Sequence, residues 1–478
     1  MKIGFVSMPF TGHLNPMTAL ARKLQSRRHE IAFIGVPDVE PFARAADLKF
    51  VPFCEHEYPP GSVAKLYASV SKLHGLEAAR LSVRDKNAGL FVAASKHLPK
   101  KLAQTGVDAL VIDVIHTFLE LVPMSLGMPY AQVSTGLPLD FSGATPPFFF
   151  SWPHENTPVA LSRNREGIQA AGEIFAPIVP LAKSFAEKVG LTIDWNDLAA
   201  TTSKLAVITQ TPREFDFQGI SWPPQFHYAG PFQDGNGREP IPFAWEKLSD
   251  KPLVYASMGT LVNGLEHIYT TILKPAAHLP EIQVVLSTGQ NVRPEALGTI
   301  PSNVIAVRRA PQVELLKRAA LCITHAGLNT ALECLAHGVP MVAIPIAYDQ
   351  PGTAVRIAHH GVGEFLDIQD VTANRVRELV DQVLNNPQYS QKARWFQKVI
   401  AGTHGLDVAA DIIERAFDNV PRNATRTVLS HVHAAYSRKV RSTPSSDSYP
   451  KVKEINLPLG YSQKLTASVR TAQCRNKK

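Results

Sequence analysis

The sequence predicts an α/β protein made of two doubly wound, Rossmann-like parallel-sheet domains that face each other across a cleft. Three observations carry this expectation. Apolar, β-branched runs alternate with helical patterns from the first residues onward, which implies a parallel sheet covered on both faces. The same rhythm restarts at Lys251 with KPLVYASMGT. Between the two series lies YAGPFQDGNGREPIPFAWEKLSD, rich in Pro, Gly and charge, the composition of an interdomain linker. A chain of 478 residues also exceeds what one ordinary core accommodates.

Each element follows in order. KIGFVSM reads as the first strand and TGHLNP as the loop after it. In MTALARKLQSRRH, residues Met17, Leu20, Ala21 and Leu24 fall on one helical face. Asn15 suits the cap of that helix and Pro16 its first position. EIAFIGV and ALVIDVI are further strands of the first sheet. IQVVLSTG, VIAVRR, LCITHAG and PMVAIPI continue the second, and GLDVAADIIERA is a closing helix. The expected limits are 1–230 for the first domain, 231–250 for the linker and 251–404 for the second domain. A C-terminal helix over 405–418 and a tail over 419–478 complete the chain.

The net charge of +8 is a property of the tail. From Pro421 onward 12 Lys/Arg stand against 2 Asp/Glu, which leaves the body with 37 basic and 39 acidic residues. A neutral body argues against a nucleic-acid binder. The tail is rich in Ser, Pro and Lys with weak periodicity, so disorder is expected. Its alternative is a weak peripheral contact with anionic lipid, worth about 1 kcal/mol per basic group. No run of eighteen apolar residues predicts a membrane span. The opening residues read as a strand, not as a signal peptide, and a cytoplasmic setting is expected. Cys54, Cys322, Cys334 and Cys474 show no metal or disulfide spacing.

The richest segment is RAPQVELLKRAALCITHAGLNTALECLAHGVPMVAIPIAYDQ, Arg309 to Gln350. LCIT is a strand, HAGL a tight turn and NTALECLAH a helix. Gly327 lets backbone approach a ligand, and Asn329 is expected to cap the helix. The free N–H groups of the first turn make an anion site, with His325 beside it as a further positive donor. Glu333, one turn in, suits ribose hydroxyls, and Asp349 and Gln350 suit those of a sugar. Ser257, Gly259 and Thr260 of SMGT form a second cradle. No GxGxxG or GxxxxGK[ST] occurs, which argues against a dehydrogenase or a kinase.

This segment resembles the signature of family 1 glycosyltransferases, the UDP-sugar-dependent enzymes of the GT-B fold. THAGLNT…HGVPMVAIP…DQPG is most similar to bacterial members of the macrolide and zeaxanthin glucosyltransferase type. The resemblance implies that Ala310 and Gln312 line the base pocket and that His325, Asn329 and Thr330 hold the diphosphate opposite Thr260. It further implies Glu333 on the ribose and Asp349 with Gln350 on the transferred sugar. Two positions depart from plant members, which carry Trp where Arg309 and Leu328 stand. Arg309 can still stack on a base.

Inverting transfer needs a base for the acceptor hydroxyl, and a histidine oriented by a carboxylate is the natural one. His13, in the loop after the first strand, and Asp113, at the end of a later strand, lie on one edge of the sheet, and the resemblance assigns the two as base and partner. His116 reads as packing or acceptor contact. Phe141, Phe148, Phe149, Phe150 and Trp152 suit either an apolar acceptor or core packing. The expected reaction moves a hexose, glucose by preference, from a UDP-sugar co-substrate to a hydroxyl of a polyphenol, macrolide, sterol or carotenoid-like acceptor. No metal and no further cofactor are expected. The alternatives are a dTDP-sugar transferase, such as one for rhamnose, and a non-catalytic sugar-nucleotide binder.

Overall fold

The computed structural model describes residues 1–236 and 238–418. The basic tail, with its expected disorder or lipid contact, lies outside the described residues, as does Cys474.

Two parallel sheets form the body. The first contains β1 (Lys2–Val6), β2 (Glu30–Gly35), β3 (Lys49–Pro52), β4 (Ala109–Asp113), β5 (Tyr130–Ser134), β6 (Val207–Thr209) and β7 (Phe226–Tyr228), in the order β3-β2-β1-β4-β5-β6-β7. The second contains β8 (Leu253–Ser257), β9 (Gln283–Ser287), β10 (Val304–Val307), β11 (Ala319–Thr324), β12 (Met341–Ala343) and β13 (Gly363–Phe365), in the order β10-β9-β8-β11-β12-β13. The inner strands are largely apolar because helices cover both faces; β4 and β8 are buried at every residue.

Strand order reverses between β1 and β4 in the first sheet and between β8 and β11 in the second. Ligands of doubly wound sheets gather at such switch points. Register then fixes which residues meet there. Val6 pairs with Ile112, which brings Ser7 beside Asp113, and Ser257 pairs with Thr324, which brings Gly259 beside His325.

The first helix corrects one expectation. It spans Thr11–Ser26, with Phe10 as its cap residue, so Pro16 lies inside it and Asn15 does not cap it. Proline in a helix deprives the carbonyl four residues back of its partner. That carbonyl belongs to Gly12, and Asn329 Nδ2 of the second sheet's domain donates to it at 2.5 Å. The helix therefore tolerates Pro16 by exporting a bond across the cleft.

The closing helix, Gly405–Asp418, returns to the first domain. Arg27, at the C-terminal cap of the first helix, meets Asp407, Asp411 and Glu414 at 2.5–2.9 Å, and Lys23 meets Asp407 at 2.6 Å. Cys54, Cys322 and Cys334 are buried free thiols. Among the described residues no helix is long and apolar enough to cross a membrane.

Candidate active site

The loops after β1, β4 and β5 converge on His13. Its Nδ1 lies 2.8 Å from Asp113 Oδ2 and 2.6 Å from Thr135 Oγ1. The carboxylate only accepts, which places the proton on Nδ1 and leaves Nε2 as the basic nitrogen. Asp113 is fully buried, and its oxygens also accept from Ser7 Oγ at 3.0 Å, the Ile115 N–H at 3.3 Å and Thr135 Oγ1 at 3.3 Å. Burial opposes the Asp113 charge, but His13 and these donors outweigh it and hold the carboxyl below its usual range. Burial likewise opposes a charged His13, yet Asp113, with Asp349 beyond it, holds the imidazole above its ordinary value. His13 sits in the first turn of the helix, not in a loop preceding it.

Across the cleft, the Leu328–Ala336 helix begins at Gly327, and no side chain caps it. This corrects the expectation for Asn329: its side chain turns to the first domain instead, bonding Gly12 as above and accepting from Gln210 Nε2 at 2.9 Å. The first-turn N–H groups are left without a capping side chain, as an anion site requires. Thr330 is buried, and Gln312 Nε2 stands 3.4 Å from its hydroxyl.

His325 packs between two glycines. A Cβ on Gly259 would stand 2.5 Å from its Nε2, and one on Gly327 2.4 Å. Gly259 moreover adopts φ +76°. His325 does not add positive charge in this state, contrary to expectation. Burial pushes its pKa down to about 4, so the ring is neutral, and its buried Nδ1 has no partner. A neutral ring can offer a ligand only an N–H. Gly259→Ala forces a Cβ into this ring and into left-handed backbone, which alone costs about 1–2 kcal/mol. We expect UDP affinity, measured by calorimetry, to fall at least about tenfold with little change in melting temperature. Unchanged affinity would separate this loop from the donor.

Ser257 is buried and Thr260 exposed at the same turn. Asp349 is half-buried and accepts from the Leu137 N–H at 3.1 Å; desolvation holds its pKa above the usual value. Gln350 Oε1 accepts from the N–H groups of Ile346 and Ala347 at 2.8 and 2.9 Å, shaping the loop after β12. Glu333 is buried and accepts from Gln312 Nε2 at 2.7 Å and from Arg238. Ala310 is buried in the second core, and Arg309 pairs with Glu239 at 3.1 Å. Two non-glycine residues of this site, Ala326 and Tyr348, take φ +62° and +60°. Such strain collects where function requires a set geometry.

The aromatic residues separate. Phe149 joins an apolar cluster of the first domain with Phe118, Met124, Leu76 and Trp195. Phe148 packs on the second core, and its carbonyl accepts from the Gly352 N–H at 2.8 Å. Trp152 stacks on Phe150 at 4.1 Å and covers Gly167, while Phe141 is exposed. His116 is buried near Asp113 with its pKa pushed down to about 4 by burial, which suits packing.

Sequence reasoning missed three features. Tyr348 reaches from the loop after β12 into the Phe149 cluster, where its hydroxyl lies 2.8 Å from Ser82 Oγ. Arg238 reaches in from the linker. At the β3 edge the fold assembles Cys54, Glu57 and His97, whose metal-ligating atoms lie within 4.8 Å of one another. There Glu57 already meets His97 at 2.7 Å and Lys96 at 3.9 Å.

Two doubly wound parallel sheets, with an uncapped helix end opposite a histidine–carboxylate pair, match the GT-B fold of glycosyltransferases. Comparison with known proteins agrees. The family described as UDP-glucoronosyl and UDP-glucosyl transferase matches residues 235–406. Zeaxanthin glucosyltransferase of Pantoea ananas is 26% identical over 415 residues, 86% of this chain and 94% of that protein. NDP-glycosyltransferase YjiC of Bacillus subtilis (strain 168) is 25% identical over 416 residues, covering 86% of this chain and 96% of its own. The solved glycotransferase of kitacinnamycin superposes with a TM-score of 0.66 at 23% identity, over 87% of this chain and 98% of that one. The family match covers the domain of the second sheet, and the likeness to glycosyltransferases extends over most of the chain.

Proposed function

We propose that the protein is an inverting transferase that moves glucose from UDP-glucose onto a hydroxyl of a small apolar acceptor. The carrying observation is the 2.8 Å contact of His13 with Asp113, on the wall facing the uncapped Leu328–Ala336 helix. His13 Nε2 takes the proton of the acceptor hydroxyl as its oxygen attacks the anomeric carbon from the face opposite the diphosphate. The bond between that carbon and the phosphate oxygen breaks, and its electron pair leaves on the diphosphate. The helix N–H groups and His325 donate to this anion, where charge builds in an oxocarbenium-like transition state. Asp113 stabilises the imidazolium that forms.

Asp349 and Gln350 hold the hexose, Glu333 the ribose, and Arg309 covers the base. The cluster around Phe149 and Tyr348 takes the acceptor, in keeping with the carotenoid named for the zeaxanthin relative. The test is nucleotide release from UDP-glucose and, in parallel, dTDP-rhamnose, against phenolic and isoprenoid alcohols. Acceptor-dependent UDP release is expected. Release from the thymidine donor alone would keep the transfer and replace the donor. Release from neither, with donor bound, would overturn the catalytic reading in favour of a binding protein.

A further inference from the structure

The linker does more than join two domains. Asp234 is gripped by Arg22 of the first helix, with Nη2 at 2.7 Å from Oδ1 and Nε at 3.2 Å from Oδ2, and Arg22 also donates to the Asn236 carbonyl at 3.0 Å. Shortly beyond, the Arg238 guanidinium donates to Glu333 Oε1, and Glu239 pairs with Arg309. The linker is thus tied at one end to the first helix. At the other it meets the carboxylate read here as the ribose contact and the arginine read as the base contact.

The Arg238–Glu333 pair is not an ordinary surface pair. The Glu333 side chain is 4% exposed and that of Arg238 38%. One carboxylate oxygen takes Arg238 and the other takes Gln312 Nε2 at 2.7 Å. A carboxylate oxygen offers about two acceptor directions, so each retains one for a ligand hydroxyl. The Glu239–Arg309 pair is exposed and contributes little by itself.

We propose that Arg238 is a nucleotide-selectivity residue that keeps Glu333 satisfied whether or not the bound sugar carries a 2′-hydroxyl. The site then accepts ribonucleoside and 2′-deoxyribonucleoside diphosphates alike. The proposal rests on the reading of Glu333 as the ribose contact. Its logic is that of a buried charge: a carboxylate without its cation must be supplied with donors by the ligand. A ribose supplies two hydroxyls and a 2′-deoxyribose only one. Loss of Arg238 therefore penalises the deoxy ligand more.

The experiment is calorimetric binding of UDP and 2′-deoxy-UDP, which share a base, to the full chain and to Arg238→Met and Arg238→Lys. Methionine keeps much of the apolar stem, and lysine keeps a cation. The wild type is expected to bind the two ligands within about threefold. Arg238→Met is expected to weaken 2′-deoxy-UDP at least about tenfold more than UDP, the worth of one hydrogen bond to a charged group. Arg238→Lys is expected to restore part of that gap, which a general folding defect would not allow. An equal loss for both ligands, no loss, or strong discrimination already in the wild type would each overturn the proposal. Binding of neither ligand by the wild type would overturn the nucleotide reading itself, and the proposal with it.

Discussion

His13→Ala is expected to lower the transfer rate at least about a hundredfold while UDP still binds with near wild-type affinity. The imidazole faces the cleft from the first domain, and the Leu328–Ala336 helix proposed to hold the diphosphate belongs to the second, so the two effects are separable. Asp113→Asn is expected to lose rate as well, because an amide no longer fixes the proton on Nδ1 nor stabilises the imidazolium. The pH dependence distinguishes them. Asp113 raises the His13 pKa above its ordinary 6.5, so the imidazole is protonated and idle on the acid side of that raised value. In the wild type kcat/KM should therefore climb with pH and level off above 6.5. In Asp113→Asn the raising charge is gone, and the acid limb should move to lower pH beneath a lower plateau. A wild-type rate in His13→Ala, or an acid limb unmoved in Asp113→Asn, would remove the pair from the mechanism.

Asp216→Ala is expected to destabilise the protein by about 3–5 kcal/mol. Asp216 follows β6 in the first domain, and Arg356 stands on the Gln350–His359 helix of the second. Their side chains are 1% and 3% exposed, with Arg356 Nη2 and Nε at 2.7 and 3.1 Å from Asp216 Oδ1. Tyr228 Oη donates to the other oxygen at 2.7 Å, and Phe217 lies 4.2 Å beneath the guanidinium. Alanine leaves Arg356 buried without its counter-charge. In a chain of this length each kcal/mol moves Tm by only about 1 °C, so a fall of about 3–5 °C is expected in calorimetry. Adding Arg356→Met should recover part of it, because removing both charges costs less than stranding one. A single variant that melts like the wild type would show the pair to be dispensable.

The parts legible in the sequence are those where burial is two-sided. β1, β2, β4, β8, β9, β10, β11 and β12 read as apolar runs because helices cover both faces. β5 carries Gln132 at a buried position, acceptable because Gln132 donates to buried Glu120 and accepts from the Ser203 N–H, and no local pattern reports that. β6, β7 and β13 span three residues each, too few for any period to register. His13 and Asp113 were legible because strand ends at a switch point are brought together by topology. Asn329 misled because its partner is a carbonyl 317 residues away in sequence, exposed by Pro16. Arg238 was hidden in a polar stretch where an arginine carries no signal until the fold sets it on Glu333.

That carbonyl has a consequence for wasted turnover. Gly12 is the neighbour of His13, and the asparagine that holds it lies in the first turn of the helix that would grip the leaving group. The gap between proton acceptor and departing anion is therefore set in part by the reach of this side chain, beside the other bonds that cross the cleft, Asp216–Arg356 and Leu137–Asp349 among them. Any opening of the cleft that broke the Asn329–Gly12 bond would uncouple base and helix end together. On the proposed mechanism, a sugar nucleotide bound without that bond would meet water with no aligned imidazole, so futile hydrolysis would be slowed by misalignment alone.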